Sequence, residues 1–309
     1  MRLSKAVLRL LKNYEGESPA IRTNMARMFM NGRLAGTGHL VILPVDQGFE
    51  HGPGRSFFMN PEAYDPQYHY KLAVQSGVSA FAAPLGMLEA GVDTFIAQVP
   101  LILKMNSSNS LIHKDSIPDQ AMTASVQDAL RLGCVGVGLT MYPGSDANLS
   151  MIQEIKEVIA EARSYGLMTV IWSYPRGRGI SKAGETALDV VAYGAHMAAL
   201  LGAHVIKVKL PSSHIELEAN QKPYQNIPKS NLKERVNHIV QSCFKGRRVV
   251  VFSGGEAKTV EEVLDESRAI YMGGGSGSII GRNCFQRPYE EALGLLKAMQ
   301  EIYLGKEGK

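Results

Sequence analysis

Short apolar runs of β-forming residues alternate along this chain with longer segments whose apolar positions recur at helical spacing. Eight such runs follow the first 38 residues, at 39–45, 79–83, 101–105, 135–141, 168–173, 204–210, 249–253 and 277–281. Their starts lie roughly 20 to 45 residues apart, the spacing of strand–loop–helix units. Helical periodicity is clear over 151–165, 188–201, 232–243 and 288–303. Ahead of the first run, Val7, Leu10 and Leu11 make one helical stripe. Met25, Met28 and Phe29 make another, which stops near Gly32 and Gly36. The pattern predicts an α/β fold, a (β/α)8 TIM barrel over residues 39–309 behind an N-terminal helical extension over 1–38. An open doubly wound sheet is the competing arrangement. It is disfavoured because Pro44-Val45-Asp46-Gln47-Gly48, just after the first run, is no glycine-rich dinucleotide fingerprint.

Composition adds bounds. The 309 residues are 45% hydrophobic and 20% charged, with a net charge of +4, enough apolar material for one large core. The densest basic clusters, Arg176-Gly177-Arg178 and Lys245-Gly246-Arg247-Arg248, are too short to argue for nucleic acid; an anionic small substrate accounts for a mild basic excess. Cys134, Cys243 and Cys284 are far apart and form no CxxC pair, which points to a reducing compartment and a cytoplasmic protein. Charges interrupt the N-terminal apolar stretch, so it is not read as a signal peptide. No apolar run approaches the ~20 residues of a membrane span.

Lysines at 207 and 209, in Ala203-His204-Val205-Ile206-Lys207-Val208-Lys209-Leu210, stand on one face of a predicted buried strand. Burying an ammonium costs several kcal/mol unless it is paired. Loss of the proton avoids that cost and leaves a nucleophile for carbonyl carbon. Barrel enzymes gather function at the C-terminal ends of strands. The polar groups there are Asp46, Gln47, Glu50 and His51 on the first; Lys104 and Asn106 on the third; Trp172, Tyr174 and Arg176 on the fifth; Ser253, Gly254 and Gly255 on the seventh; Gly281 and Arg282 on the eighth. Imine chemistry needs a proton carrier near the amine, and Asp46 and Tyr174 are the candidates. Trp172, two residues before Tyr174, is expected on the same side. Ser253-Gly254-Gly255, Gly273-Gly274-Gly275-Ser276-Gly277 and Gly281-Arg282 are the phosphate signal: glycines let backbone amides approach an anion, and arginine adds a forked contact. The spacing of Asp46, Glu50 and His51 fits no zinc signature, so no metal is expected; Glu50 and His51 are read as ordering the first loop.

These stretches together resemble the archaeal-type class I fructose-bisphosphate aldolases, a family also found in bacteria. The match runs through Gly36-Thr37-Gly38, Leu43-Pro44-Val45-Asp46-Gln47-Gly48, Glu50-His51, Trp172-Ser173-Tyr174-Pro175-Arg176, the Lys207 strand, Ser253-Gly254-Gly255 and Ile279-Ile280-Gly281-Arg282-Asn283-Cys284-Phe285-Gln286. The resemblance implies a Schiff-base lysine at Lys207, with Lys209 as the competing assignment, and an acid/base pair of Tyr174 and Asp46. It implies substrate contacts from Gln47, Trp172 and Arg176, and a phosphate site at Ser253, Gly254, Gly255, Gly281 and Arg282. Arg176, Lys209 and Lys104 are the options for a second phosphate. It further implies reversible cleavage of fructose 1,6-bisphosphate in glycolysis or gluconeogenesis, no cofactor beyond the covalent imine, no metal, and a homo-oligomer, often a decamer. One departure is His204, which stands where the family often carries Asp. It is expected to face outward or toward the neighbouring layer. The competing functions are another aldol or acyl transfer on a phosphoketose, and a non-catalytic sugar-phosphate-binding protein.

Overall fold

The computed structural model describes residues 2–113, 115–253 and 258–306. Eight parallel strands close into a barrel: β1 Leu40–Pro44, β2 Ala80–Pro84, β3 Leu101–Lys104, β4 Gly136–Met141, β5 Met168–Ser173, β6 Val205–Lys209, β7 Val249–Ser253 and β8 Gly277–Ile279. They run round the barrel in chain order, which excludes the doubly wound sheet. The β1–β8 seam puts Leu40 beside Gly277. A Cβ at Gly277, where φ is +139°, would lie 1.8 Å from the Leu40 carbonyl oxygen, so glycine is required for closure. A short antiparallel pair, Asn106–Ser107 with Ala121–Met122, projects from the loop after β3.

Helices Leu188–Leu200, Leu232–Ser242 and Tyr289–Tyr303 end within one residue of their sequence periodicity. Helix Asn148–Ser164 starts earlier than the pattern suggested, because its first turn is polar or exposed and Met151 is its first buried apolar residue.

Strand alternation divides the core into two layers. Val41, Leu43, Phe81, Leu103, Ile171, Ile206 and Val250 face the helices. Leu40, Ile42, Ala80, Ile102, Met168, Val170, Val205, Val249 and Ile279 fill the barrel. The inner layer continues into helices α1 (Lys5–Lys12) and α2 (Pro19–Phe29), through Val7, Leu11, Ile21, Met25, Met28 and Phe29. The extension therefore closes the N-terminal mouth of the barrel. Side chains cap both helices: Ser4 accepts from the Val7 amide at 3.1 Å and Ser18 from the Ile21 amide at 3.3 Å. Between them the buried Tyr14 hydroxyl donates to the His204 carbonyl at 2.7 Å and accepts from the Val249 amide at 2.9 Å, joining the starts of β6 and β7.

Two sequence expectations are resolved here. His204 lies on the strand face of Ile206, opposite to that of the barrel-filling Val205. It is fully buried at the N-terminal mouth, stacked on Tyr14, with Nδ1 accepting from the Thr169 amide at 2.9 Å and Nε2 3.4 Å from Glu17. The 273–277 glycine stretch, counted with the phosphate signal, leads into β8, so it lies at the mouth opposite the strand ends that were expected to bind phosphate. Among the described residues, no helix is long and apolar enough to cross a membrane.

Candidate active site

A cavity opens at the C-terminal mouth. The ends of five strands bring Asp46, Gln47, Tyr174, Arg176, Lys207, Lys209, Ser253, Gly281 and Arg282 to its wall, joined by Glu50 and His51 from the loop after β1. Gly254 and Gly255 lie outside the described residues.

Lys207 is only 4% exposed, and β6 sets it in register with Trp172 on β5 and Val251 on β7. Its Nζ is 5.2 Å from the Trp172 ring centre and 5.3 Å from that of Tyr174. Among the described residues, no carboxylate lies within 4.0 Å of it. Burial pulls its pKa down to about 8, against the opposing pull of Asp46 and Glu50. Lys209 faces the same cavity, yet its ammonium is held by Glu185 at 3.1 Å. Burial lowers the Lys209 pKa as well, and Glu185 works against that shift. The two lysines left open by sequence thus differ physically: one has a counter-ion in contact and the other does not.

Asp46 precedes the short helix Gln47–His51 but makes no side-chain cap bond, and no cation lies within 4.0 Å of it among the described residues. The bland roles of a cap or a closed ion pair are therefore not its roles here. Its carboxylate stands free on the cavity wall. Tyr174 is part-buried and its hydroxyl is 3.4 Å from Ser253 Oγ; burial pushes its pKa up, so the phenol keeps its proton at neutral pH. Arg176 binds Glu50 at 3.0 Å and lies over the Tyr142 ring at 4.8 Å. Burial works to raise the Glu50 pKa, and the neighbouring Arg176 and His51 outweigh it, so that carboxylate stays ionised.

Gly281 is at the rim for a steric reason: a Cβ there would meet the Pro44 carbonyl oxygen at 2.8 Å and Gln47 Nε2 at 3.1 Å. Arg282 follows on the same wall.

Two residues sit elsewhere than expected. Trp172 is 1% exposed and does not line the cavity; its ring lies in the barrel layer beneath, with the inner core residues. Gly138 on β4 makes room for it, since a Cβ there would come within 2.4 Å of the ring. Lys104 is likewise beneath the cavity. Its amine donates to the Asn106 carbonyl and, at 3.0 Å, to Asn106 Oδ1, and burial lowers its pKa to about 8. Lys104 is thus engaged with Asn106 inside the barrel rather than on the cavity wall.

Sequence reasoning missed Glu185 and Tyr142. Tyr142 directly follows β4, and reading that strand's end as the others were read would have found it. Its hydroxyl accepts from Gln120 at 2.5 Å and from Arg176 at 3.4 Å, fixing the arginine. Glu185 comes from the loop before helix Leu188–Leu200 and had no local signal. Among the described residues, no group of three or more His, Cys, Asp or Glu is arranged to hold a metal.

Buried lysines, a carboxylate and a phenol at the C-terminal mouth of a closed (β/α)8 barrel are the equipment of a Schiff-base aldolase. The chain belongs to the DeoC/LacD family of aldolases, whose model matches residues 40–287. It is 36% identical over 298 residues to a probable fructose-bisphosphate aldolase class 1 of Chlamydia trachomatis, covering 91% of this chain and 84% of that protein. It is 34% identical over 269 residues to the fructose-bisphosphate aldolase class 1 of Thermoproteus tenax, covering 87% and 90%. The solved structure of an archaeal fructose-1,6-bisphosphate aldolase, with its catalytic Lys covalently bound to the carbinolamine intermediate of the substrate, superposes with a TM-score of 0.74 at 31% identity. That match covers 90% of this chain and 98% of the other.

Proposed function

We propose that this cavity carries a class I fructose-bisphosphate aldolase activity, with Lys207 as its imine-forming residue. The reaction is the reversible cleavage of fructose 1,6-bisphosphate to dihydroxyacetone phosphate and glyceraldehyde 3-phosphate. The observation that carries the assignment is the contrast within β6: Lys207 is buried without a contacting carboxylate, whereas Lys209 is paired with Glu185.

The neutral amine of Lys207 adds to the C2 ketone, and its proton passes to the new alkoxide to give a carbinolamine. Protonation of that hydroxyl by the Tyr174 phenol releases water and leaves the iminium. A base then takes the C4 hydroxyl proton as the C3–C4 bond breaks. Glyceraldehyde 3-phosphate departs, and the bonding pair moves to the iminium nitrogen as an enamine. Protonation at C3 and addition of water return dihydroxyacetone phosphate and free Lys207. Tyr174 relays these protons with support from the Asp46 carboxylate. In this scheme Ser253, Gly254, Gly255, Gly281 and Arg282 hold the phosphate of the dihydroxyacetone half. Gln47 orders the strand-one end beside it, and Arg176 takes the second phosphate by exchanging part of its contact with Glu50. The imine replaces a metal as electron sink, so no cofactor is needed. The catalytic unit is residues 39–309 with the helical extension of 1–38 as its base, working in the cytoplasm as a homo-oligomer, a decamer by family resemblance.

Steady-state cleavage of fructose 1,6-bisphosphate by EDTA-treated protein, beside a panel of other phosphoketoses, tests this reading. Full activity in EDTA with preference for the bisphosphate supports it. Activity confined to another phosphoketose would replace the substrate, and absence of turnover on all of them would leave a sugar-phosphate-binding protein.

A further inference from the structure

The glycine stretch that failed as the catalytic phosphate loop lines a second cavity at the opposite mouth. Gly274, Gly275 and Ser276 face α1 across it, with Thr37 and His39 ahead of β1 and the 246–248 turn ahead of β7. The space is about 480 Å³, within the range of small-molecule sites and larger than a bare phosphate needs. Arg9, Arg247 and Arg248 all line it, and among the described residues no carboxylate does. Nor does any carboxylate lie within 4.0 Å of these three guanidiniums. Arg248 is aimed by its surroundings: it donates to the carbonyls of Asn13 and Arg247 at 3.2 and 3.0 Å and lies 5.1 Å over the rings of Tyr14 and Phe244. His39 stands on the same wall, against the Gly275 and Ser276 backbone.

Three like charges around one concave space repel each other, and an anion relieves that repulsion. The glycine amides are not the ligands. Gly274, Gly275 and Ser276 donate theirs to the carbonyls of Tyr271, Ile270 and Val250 at 3.2, 2.9 and 2.8 Å. The small residues instead leave open the space that the guanidiniums surround, and forked arginine contacts suit phosphate oxygens. We propose that the N-terminal mouth of the barrel binds a small phosphate-bearing anion through Arg9, Arg247 and Arg248, on the face opposite the Lys207 cavity.

Calorimetric titration of the full chain with inorganic pyrophosphate at low salt tests this. The C-terminal cavity also accepts such an anion, so Arg282→Ala is titrated in parallel to identify that site. Two sites per chain are expected in the wild type. Arg9→Ala/Arg247→Ala should weaken one of them at least tenfold, and Arg9→Lys/Arg247→Lys should recover only part of the loss, because lysine keeps the charge without the forked contact. The side chains of Arg9 and Arg247 make no hydrogen bond or ion pair among the described residues, so the variant's melting temperature and fructose 1,6-bisphosphate cleavage should stay near wild type. Displacement by glycerol 3-phosphate would make the ligand an ester, and resistance to it an inorganic anion; both support the site. Unchanged stoichiometry and affinity in Arg9→Ala/Arg247→Ala, or a single wild-type site abolished by Arg282→Ala, would overturn it.

Discussion

Lys207 Nζ sits 5.2 Å from the centre of the Trp172 ring, its neighbour across the β5–β6 pair. Lys104 Nζ lies 5.9 Å from the same ring. An indole face favours a cation, while burial opposes it, so the ring moderates how far the amine's pKa falls. Trp172 therefore lies beneath the Lys207 amine, in the inner layer of the barrel.

That placement separates a support from a substrate contact. Trp172→Phe should lower kcat about tenfold with KM changed less than twofold, because the smaller ring loosens Lys207 without touching the sugar. Steady-state kinetics decides: a large rise in KM at near-normal kcat would return Trp172 to the substrate surface.

The Lys207 pKa gives two pH dependences. On activity, kcat/KM should rise toward a plateau as pH passes about 8, when the amine becomes neutral. On stability, the folded value of about 8 lies below the ordinary 10.5. The unfolded chain then binds the extra proton between those limits, so stability rises with pH across that window and the full penalty applies below it. Lys207→Met removes the penalty and should stabilise the protein at pH 7 by on the order of 3 kcal/mol. The gain should vanish by about pH 10.5. Urea unfolding at several pH values measures it, and a pH-independent gain would contradict the assignment.

Glu185 pairs with Lys209 at 3.1 Å and opposes the burial that favours loss of its proton. In a Lys207→Met background, Glu185→Gln should let Lys209 form a slow, borohydride-trappable adduct that Lys207→Met alone lacks. Equal trapping with and without Glu185 would show that the pairing does not discriminate between the lysines.

Tyr14→Phe should leave a buried Val249 amide and a buried His204 carbonyl without their partner. Each orphaned group costs about 1–3 kcal/mol. Thermal unfolding should shift downward by several degrees while kcat at 25 °C holds, since the bolt is at the mouth opposite Lys207.

The barrel was legible because each strand is a compact apolar run and each helix a periodic one, features local to the sequence. Lys207, Asp46, Tyr174, Arg176 and Ser253 were legible as polar residues at strand ends, and the structure brings all five to one cavity. What failed depended on layer and direction. Trp172 shares a strand face with Tyr174, but barrel interiors stack in layers, and two residues along a strand is one layer down. The 273–277 glycines were counted with the phosphate signal for their composition, although they come before the eighth run and so belong to the opposite mouth. Glu185 has no periodic context, and only the pairing of β5 with β6 brings the loop that carries it to Lys209.

Borohydride trapping bears most directly on the central claim that Lys207 forms the imine. Protein is reduced with sodium borohydride in the presence of fructose 1,6-bisphosphate, with and without EDTA, and its peptides are mapped by mass. A substrate-dependent adduct on Lys207, undiminished by EDTA, is the predicted result. An adduct on Lys209 in the wild type would contradict the reading of β6, and no adduct with activity lost in EDTA would contradict the imine itself.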